Sequence, residues 1–354
     1  MTWLDEYAIE AARTDRFAGA PKHLGLLAAG LDGETGSIVA EVKKAARERD
    51  AYPVYRQRLV EEIGDALWYL VRLRDVSGES GAPDVSDLLL SHAATTAPLD
   101  AGLRLAAAAG TLCNAVTAPG PTNLRESIRE VAAALCSVAA ATRISLEHAA
   151  KENVAKITSR WPAERSYHPL FDNDSPEEDR LPRRLDIEFR ELSRGSRQVT
   201  LLRCNNLNFG DRVTDNIEDP DGYRYHDIFH FAHAVHLGWS PVVRALLRAK
   251  RKSDAAVDEE QDGARAVILE EAVAAIVFSR AKHLAFFDGL DHVDYDLLKT
   301  VHGFVEGYEV ADVPLWQWEQ AILDGYRIFR LLRVNRGGRV TLDLANRSLH
   351  YVTR

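Results

Sequence analysis

Cysteine is scarce in this chain. Only three occur among the 354 residues, and they are Cys113, Cys136 and Cys204. No two of them stand in the close Cys-x-x-Cys spacing that is typical of zinc-binding and redox motifs. The sequence therefore argues against a disulfide framework or a cysteine zinc site and favours reduced, buried thiols.

Long apolar runs, an export signal and an excess of basic charge are also lacking. No stretch is apolar for long enough to span a bilayer, and residues 1–6 lack the basic-then-apolar order of a signal peptide. The net charge of -9 argues against general binding to nucleic acid or anionic lipid, and the basic run at 244–252 is typical of a solvated helix end. We therefore expect a soluble, cytoplasmic protein without a membrane partner.

Length and composition predict two globular domains. The chain is 46% hydrophobic and 27% charged, which is typical of folded domains of ordinary size. Residues 1–165 are rich in alanine and leucine and predict an all-α helical bundle, with turns at 77–83 and 117–121. The charged, proline-spaced segment 166–184 predicts a linker. Residues 185–354 predict a mainly helical α+β domain, with strands at 185–190 and 198–204, helices at about 225–250, 262–282, 294–309 and 315–333, and a closing hairpin at 339–344 and 348–352.

Carboxylates recur within two amphipathic segments of the first domain. Glu62 and Asp65 are three residues apart, and Glu34 and Glu41 are seven apart, so each pair lies on one face of a helix. Carboxylates among apolar residues need a partner, and a hard divalent cation between two packed helices would supply one. The alternative is a solvated acidic face.

Three strings carry a resemblance to a known family. They are His-Leu-Gly-Leu-Leu-Ala-Ala-Gly-Leu-Asp-Gly-Glu-Thr-Gly-Ser at 23–37, Leu-Val-Glu-Glu-Ile-Gly-Asp-Ala-Leu-Trp-Tyr-Leu at 59–70, and Glu-Asn-Val-Ala-Lys-Ile-Thr-Ser-Arg-Trp-Pro at 152–162. In this order they resemble MazG-type all-α nucleoside triphosphate pyrophosphohydrolases. The second domain likewise resembles the C-terminal domain attached to some MazG-like proteins.

The resemblance implies a metal site. The family carries Glu-x-x-Glu on one helix and Glu-x-x-Asp on the next, and it binds magnesium through them. It therefore implies that Glu34, Glu62 and Asp65 are metal ligands. Ser37 stands where the family has its second glutamate. Either Glu41, one turn further along the same face, replaces that ligand, or one metal position is weakened.

The family also implies a reaction. Magnesium, or manganese in its place, would neutralise a nucleoside triphosphate and activate water, which would yield the monophosphate and pyrophosphate. Glu61 or Glu41 would accept the proton of that water, and the sequence does not choose between them. A nucleotide-binding sensor or effector with weak or absent hydrolysis, for example in a stress or phage response, is the alternative that Ser37 and the large second domain allow.

Four further residues are expected to bind the nucleotide. The resemblance implies that Asn153, Lys156 and Arg160 meet phosphate oxygens, although a basic helix end would also carry Lys156 and Arg160. Trp68 would stack on the base, or it lies in the bundle core, and the adjacent Tyr69 has the same capacity to stack. The sequence names neither the base nor the sugar.

An internal repeat is visible in the first domain. Residues 60–70 align without gaps on 128–138, and 26–30 resemble 105–109. Ala133 in the second copy stands opposite Asp65. We interpret this copy as a degenerate half that completes the bundle around one working site, similar to the fused arrangement in dimeric dUTPase relatives, and a homodimer is compatible with that likeness. Chance similarity between alanine-rich helices is the alternative.

A histidine stripe marks the second domain. His226, His230 and His233 stand at i, i+4 and i+7, on one face of a helix, where two histidines can chelate a transition-metal ion. Glu270 or Glu271 would supply an oxygen ligand or orient a histidine. The alternative is a set of core histidines that hydrogen-bond to a neighbouring acid.

Overall fold

The computed structural model describes residues 2–77, 96–118, 123–195 and 197–352. Most of each turn predicted at 77–83 and 117–121 lies outside these residues. The chain divides into two compact units, Met1–Ala163 (unit 1) and Glu164–Arg354 (unit 2). Among the described residues, none of the helices combines the length and apolarity that crossing a bilayer requires.

All regular secondary structure in the described residues of unit 1 is helical, as predicted. A capping box between Thr2 and Asp5 starts the first helix, and Pro98 occupies the first turn of the fourth, where its missing N–H costs nothing. The helices are α1 (Trp3–Arg13), α2 (His23–Glu48), α3 (Tyr55–Val76), α4 (Pro98–Thr117), α5 (Leu124–Thr142) and α6 (Leu146–Arg160).

Two pairs of consecutive helices form the body of unit 1. Helix α2 packs on α3 and α4 packs on α5, while α2 also contacts α4 and α3 contacts α5 and α6. Aliphatic side chains line these contacts and are fully buried, among them Leu27, Leu31, Leu59, Ile63 and Leu67. The two segments of the predicted repeat, 60–70 and 128–138, fall on α3 and α5, the second helix of each pair.

A glycine allows α6 to approach α3 closely. A Cβ atom on Gly64 would lie 2.7 Å from the carbonyl oxygen of Ala149 and 3.0 Å from Cβ of Asn153. These distances are too short for any larger residue unless the helices separate. Gly64 therefore fixes the spacing between the helix that carries Asp65 and the helix that carries Asn153.

Unit 2 contains one antiparallel sheet and six helices in its described residues. The sheet order is β3-β2-β1-β4-β5, and the two predicted pairs, β1 with β2 and β4 with β5, are adjacent and antiparallel. Leu185, Ile187 and Phe189 point to the buried face because alternate residues of a strand share a face. The strands are β1 (Arg184–Arg194), β2 (Arg197–Cys204), β3 (Leu207–Val213), β4 (Gly337–Asp343) and β5 (Ser348–Val352).

The helices of unit 2 surround an aromatic core. Phe231 meets Phe189 of the sheet edge-on at 6.1 Å, and Phe229 stacks on Tyr326 at 4.4 Å. This packing places one helix against both the sheet and the longest helix of the unit. The helices are α7 (Asp227–Leu237), α8 (Pro241–Leu247), α9 (Ala255–Glu260), α10 (Ala264–Lys282), α11 (Tyr295–Phe304) and α12 (Leu315–Asn335).

The helix predicted at about 225–250 is two helices. Gly238 adopts the left-handed conformation with φ of 71° and ends α7. Ser240 then caps α8 through Val243 N–H, and Pro241 begins it. The prediction was wrong here because apolar periodicity continues across the break. Strand β3 and helix α9 were not predicted.

The predicted linker 166–184 carries many contacts within unit 2. The buried carboxylate of Asp172 pairs at 2.8 Å with Arg183 and, at the same distance, with the buried guanidinium of Arg244. Arg251 is buried as well and pairs with Asp262 at 2.8 Å. The prediction of a solvated helix end is therefore wrong for two arginines of the basic run, which are buried in ion pairs within unit 2.

The close approach at Gly64 gives a stability prediction. Gly64→Ala should lower the free energy of unfolding by about 1–3 kcal/mol, because the added methyl group overpacks the contact with α6. Gly33→Ala is the matched control, since Gly33 lies on α2 with no atom within 4 Å of the added Cβ. It should be neutral or stabilise by up to about 1 kcal/mol. Urea unfolding followed by circular dichroism measures both, and equal changes would contradict the packing argument.

Candidate metal centre

Three carboxylates of unit 1 converge. Glu34 comes from α2, while Glu62 and Asp65 come from one face of α3. One oxygen atom of each lies within 4.8 Å of the others, and all three side chains are partly buried. Such a set of oxygen atoms is what a hard divalent cation requires.

The electrostatics of this cluster are unfavourable without a cation. Burial, reinforced by the charges of Asp65 and Glu62, raises the pKa of Glu34 to about 8. Burial also raises the pKa of Asp65, although Lys156 opposes the shift. Like charges this close favour either a shared proton or a bound cation.

Asp65 is held by helix α6. The side-chain amide of Asn153 donates to Oδ1 of Asp65 at 2.6 Å, and Lys156 pairs with both oxygens of the same carboxylate. Asn153 is buried, and its own oxygen accepts from the Tyr7 hydroxyl at 2.9 Å. Tyr7 is also 3.2 Å from the carbonyl oxygen of Gly64. Side chains of α1 and α6 therefore hold Asp65 of α3 in place, and Asn153 is the link between them.

The two candidate bases occupy different places. Glu61 precedes Glu62, and its Oε1 atom lies 3.8 Å from Nζ of Lys156, beside the cluster. Glu41 instead accepts a hydrogen bond from the hydroxyl of Tyr52. Seven residues separate it from Glu34, a rise of about 10 Å along the helix. The structure thus brings Glu61, and not Glu41, to the carboxylates.

The aromatic residues near the site differ in exposure. Trp68 is buried, and its indole N–H donates to Oγ1 of Thr14 at 3.1 Å. Tyr69 is half-buried against α2, where burial first, and then the charge of Glu34, raises its pKa. Arg160 places its guanidinium over the ring of Trp161 at 4.5 Å. Tyr69, rather than Trp68, lies beside the carboxylates.

The histidines of the stripe in unit 2 contact two different glutamates. Nδ1 of His230 and Nδ1 of His233 each lie 3.0 Å from Oε1 of Glu270. On the other side, Nε2 of His230 and Nε2 of His226 lie 3.4 Å and 3.7 Å from Oε2 of Glu271. Two groups of three possible donor atoms therefore each lie within 4.8 Å: those of His230, His233 and Glu270, which belong to the predicted set, and those of His226, His230 and Glu271.

The raised pKa of Glu34 gives a prediction for stability against pH. The folded-state pKa of about 8 exceeds the ordinary value of 4.5, so folding retains a proton that the unfolded chain releases. Stability that is present at the lower pH is therefore lost as the pH rises through the folded-state value. Glu34→Gln should flatten this loss and stabilise the metal-free protein at alkaline pH.

Thermal unfolding between acid and alkaline pH, with chelator present, measures the effect. Asp32→Asn is the control, because Asp32 lies on the exposed side of the same helix. A parent and a Glu34→Gln variant with the same pH dependence would contradict the shift.

Comparisons with known proteins identify the family. The model of the MazG C-terminal domain matches residues 166–354, which is more than half of the chain. The "Gene 37 protein" of Mycobacterium phage L5 is 35% identical over 77 residues, which cover 20% of this chain and 68% of the phage protein. No solved structure matches the chain. These matches confirm the resemblance to MazG-like proteins and indicate a nucleotide-related function. The chain therefore belongs to the family of proteins with a MazG C-terminal domain.

Proposed function

We propose that unit 1 hydrolyses a nucleoside triphosphate to the monophosphate and pyrophosphate with magnesium. The observation that carries this proposal is the convergence of Glu34, Glu62 and Asp65 within 4.8 Å. The donor set fits magnesium, because it offers carboxylate oxygens and no nitrogen or sulfur atom. When bound, magnesium supplies charge neutralisation for the triphosphate and an activated water. Manganese has the same preference for oxygen and is expected to substitute.

Lys156 is the residue proposed to meet the phosphates. It pairs with Asp65 and lies 3.8 Å from Glu61, so it stands at the edge of the cluster. A cation on Asp65 would compete with this ion pair and leave the ammonium group to an incoming phosphate oxygen. Arg160 follows four residues later on the same helix, and we assign it to the phosphates as well.

Glu61 is the proposed general base. It is the acid beside the three carboxylates that is not itself a member of their group. Its side chain is 19% exposed, which admits water, and its Oε1 lies 3.8 Å from the ammonium group of Lys156. Asn153 is a positioning residue, because it holds Asp65 and is itself held by Tyr7. Tyr69 offers the nucleotide a ring next to Glu34.

A sensor that binds but does not cleave nucleotide is the second candidate. Two observations favour it: Ser37 supplies no carboxylate one turn after Glu34, and Lys156 already neutralises Asp65. A sensor would return its nucleotide intact, whereas an enzyme would release pyrophosphate. The products of incubation therefore separate the two candidates.

The direct test is incubation with magnesium and a panel of NTPs and dNTPs, followed by chromatography of the products. We expect monophosphate and pyrophosphate from at least one nucleotide. Asp65→Asn should lower turnover at least about 100-fold, because several kcal/mol of charge stabilisation is lost. Glu130→Gln is the matched control, since Glu130 is the exposed counterpart of Glu62 in the aligned repeat. Bound but uncleaved nucleotide would favour the sensor, and normal turnover of Asp65→Asn would remove the metal assignment.

Position 37 gives a second test. Ser37→Glu restores a carboxylate one helical turn after Glu34 and should raise magnesium affinity, since a fourth oxygen joins the set. Ser37→Gln adds a side chain of nearly equal size without the charge and should leave the affinity close to that of the parent. Calorimetric titration with magnesium measures both. If the two variants behave alike, position 37 does not face the cation.

A further inference from the structure

His230 of unit 2 has a buried ring nitrogen that lacks a hydrogen-bond partner. Its side chain is 0% exposed, and the Nε2 atom hydrogen-bonds to nothing among the described residues. Oε2 of Glu271 lies 3.4 Å from this nitrogen, within ion-pair distance but without forming a hydrogen bond to it. Burying a polar atom without a hydrogen-bond partner costs free energy. We therefore expect an occupant, such as an ion, in the space next to Nε2 of His230.

The other nitrogen of each ring fixes its orientation. Nδ1 of His230 lies 3.0 Å from the Glu270 carboxylate, and Nδ1 of His226 lies 3.1 Å from the carbonyl oxygen of Tyr223. Both partners accept, so both Nδ1 atoms must donate. The phenol ring of Tyr223 also stacks on His226 at 4.5 Å. Each Nε2 atom is thereby aimed at Glu271, which is how histidine ligands of metals are usually held.

Glu270 holds the rings of His230 and His233, and we do not assign it as a metal ligand. It is fully buried and accepts from His230, from His233, from the hydroxyl of Ser240 at 2.8 Å and from the N–H of Val242 at 2.9 Å. Its oxygens are therefore occupied by donors. The metal set predicted from the histidine stripe included His233 and Glu270. The hydrogen bond between these two residues agrees instead with the alternative, in which a core histidine bonds to a neighbouring acid.

We propose that unit 2 binds one first-row transition-metal dication through Nε2 of His226, Nε2 of His230 and the carboxylate of Glu271. Atoms that share such an ion at about 2.1 Å in tetrahedral geometry lie roughly 3.4 Å apart. The two nitrogen-to-oxygen distances here are 3.4 Å and 3.7 Å. Imidazole nitrogen ligands select zinc, iron, copper or nickel over magnesium and calcium. The chemistry of this site is thus distinct from that of the carboxylates in unit 1.

Two more features suit a reactive rather than a purely structural ion. The Glu271 side chain is 42% exposed, so the ion would be reachable from solvent. Three protein ligands leave a coordination position open, as in catalytic zinc sites. Asp227, whose Oδ1 lies 4.0 Å from Nε2 of His226, stands nearby as a further oxygen ligand or proton acceptor.

A proton is the competing occupant of the same space. Although burial opposes it, the neighbouring Glu270 raises the pKa of His230 to about 10. The acids that attract this proton attract a cation equally, and binding of a metal releases protons from its ligands. An imidazolium held between two glutamates therefore explains the geometry without metal, and the experiment must separate the two.

The test uses the full chain, stripped with chelator and dialysed against micromolar zinc with millimolar magnesium. We expect one zinc per chain by elemental analysis in the parent, and also in Asp65→Asn, whose substitution lies in unit 1. Glu271→Gln should lower zinc affinity at least about 100-fold, more than the loss of an outer partner usually costs. Because Glu271 is partly exposed, this variant should fold, and circular dichroism checks it. His230→Gln should lose zinc as well.

Two control variants match these changes. His283→Gln replaces an exposed histidine just after the same helix, and Glu260→Gln replaces an exposed acid of α9. Both should retain zinc at the parent affinity. A parent that binds no zinc would show that the proton is the occupant and overturn the proposal. Undiminished affinity in folded Glu271→Gln would overturn it too, as would an equal loss in His283→Gln.

Discussion

Repulsion among Glu34, Glu62 and Asp65 is the constraint around which unit 1 is arranged. Three acids within 4.8 Å are unfavourable in a partly buried space, and the pKa of Glu34 near 8 expresses that cost. Much of the surrounding structure holds them together nevertheless. The close approach at Gly64 brings α6 within reach, and α6 then supplies an amide and an ammonium group to Asp65. A fold optimised for stability alone would have no use for this arrangement, so it points to a ligand.

The regular elements were predictable because local periodicity determines them. The helices of unit 1 follow from apolar stripes, and β1 follows from the alternation that buries Ile187 and Phe189. The i, i+3 spacing also placed Glu62 and Asp65 on one face. The break at Gly238 escaped prediction because apolar residues continue on both sides of it, while the decisive signals are one left-handed glycine and the Ser240 cap that follows. Glycine and helix-cap signals of this kind are local, and a strong apolar run outweighs them when helices are predicted from sequence.

Contacts between distant residues could not be predicted in the same way. Tyr7 reaches Asn153 across 146 positions, and nothing in α1 marks it as part of a site. Glu41 had the right helical face, but the chain after α2 brings Tyr52 to it. In unit 2, Glu270 and Glu271 are neighbours in sequence, yet consecutive helical residues point about 100° apart. Glu270 therefore accepts hydrogen bonds from the Nδ1 atoms of the histidines, whereas Glu271 lies near their Nε2 atoms. This difference depends on how α10 packs against α7.

The carboxylate cluster of unit 1 and the histidine–glutamate cluster of unit 2 differ in the kind of donor atom that they offer a metal ion. The set in unit 1 offers oxygen atoms alone, whereas the set in unit 2 pairs two imidazole nitrogens with one carboxylate. Hard dications prefer the first kind of set and transition metals the second, so the two sets favour different ions. Orientation differs as well: Asp65 is held by an amide and an ammonium group that a cation must displace or share, while the rings in unit 2 are anchored through nitrogens that a metal does not use. Magnesium would therefore enter unit 1 against an existing ion pair, and a transition metal would enter unit 2 against only a proton. On both proposals, the choice of ion follows from the local donor atoms and from the groups that hold them.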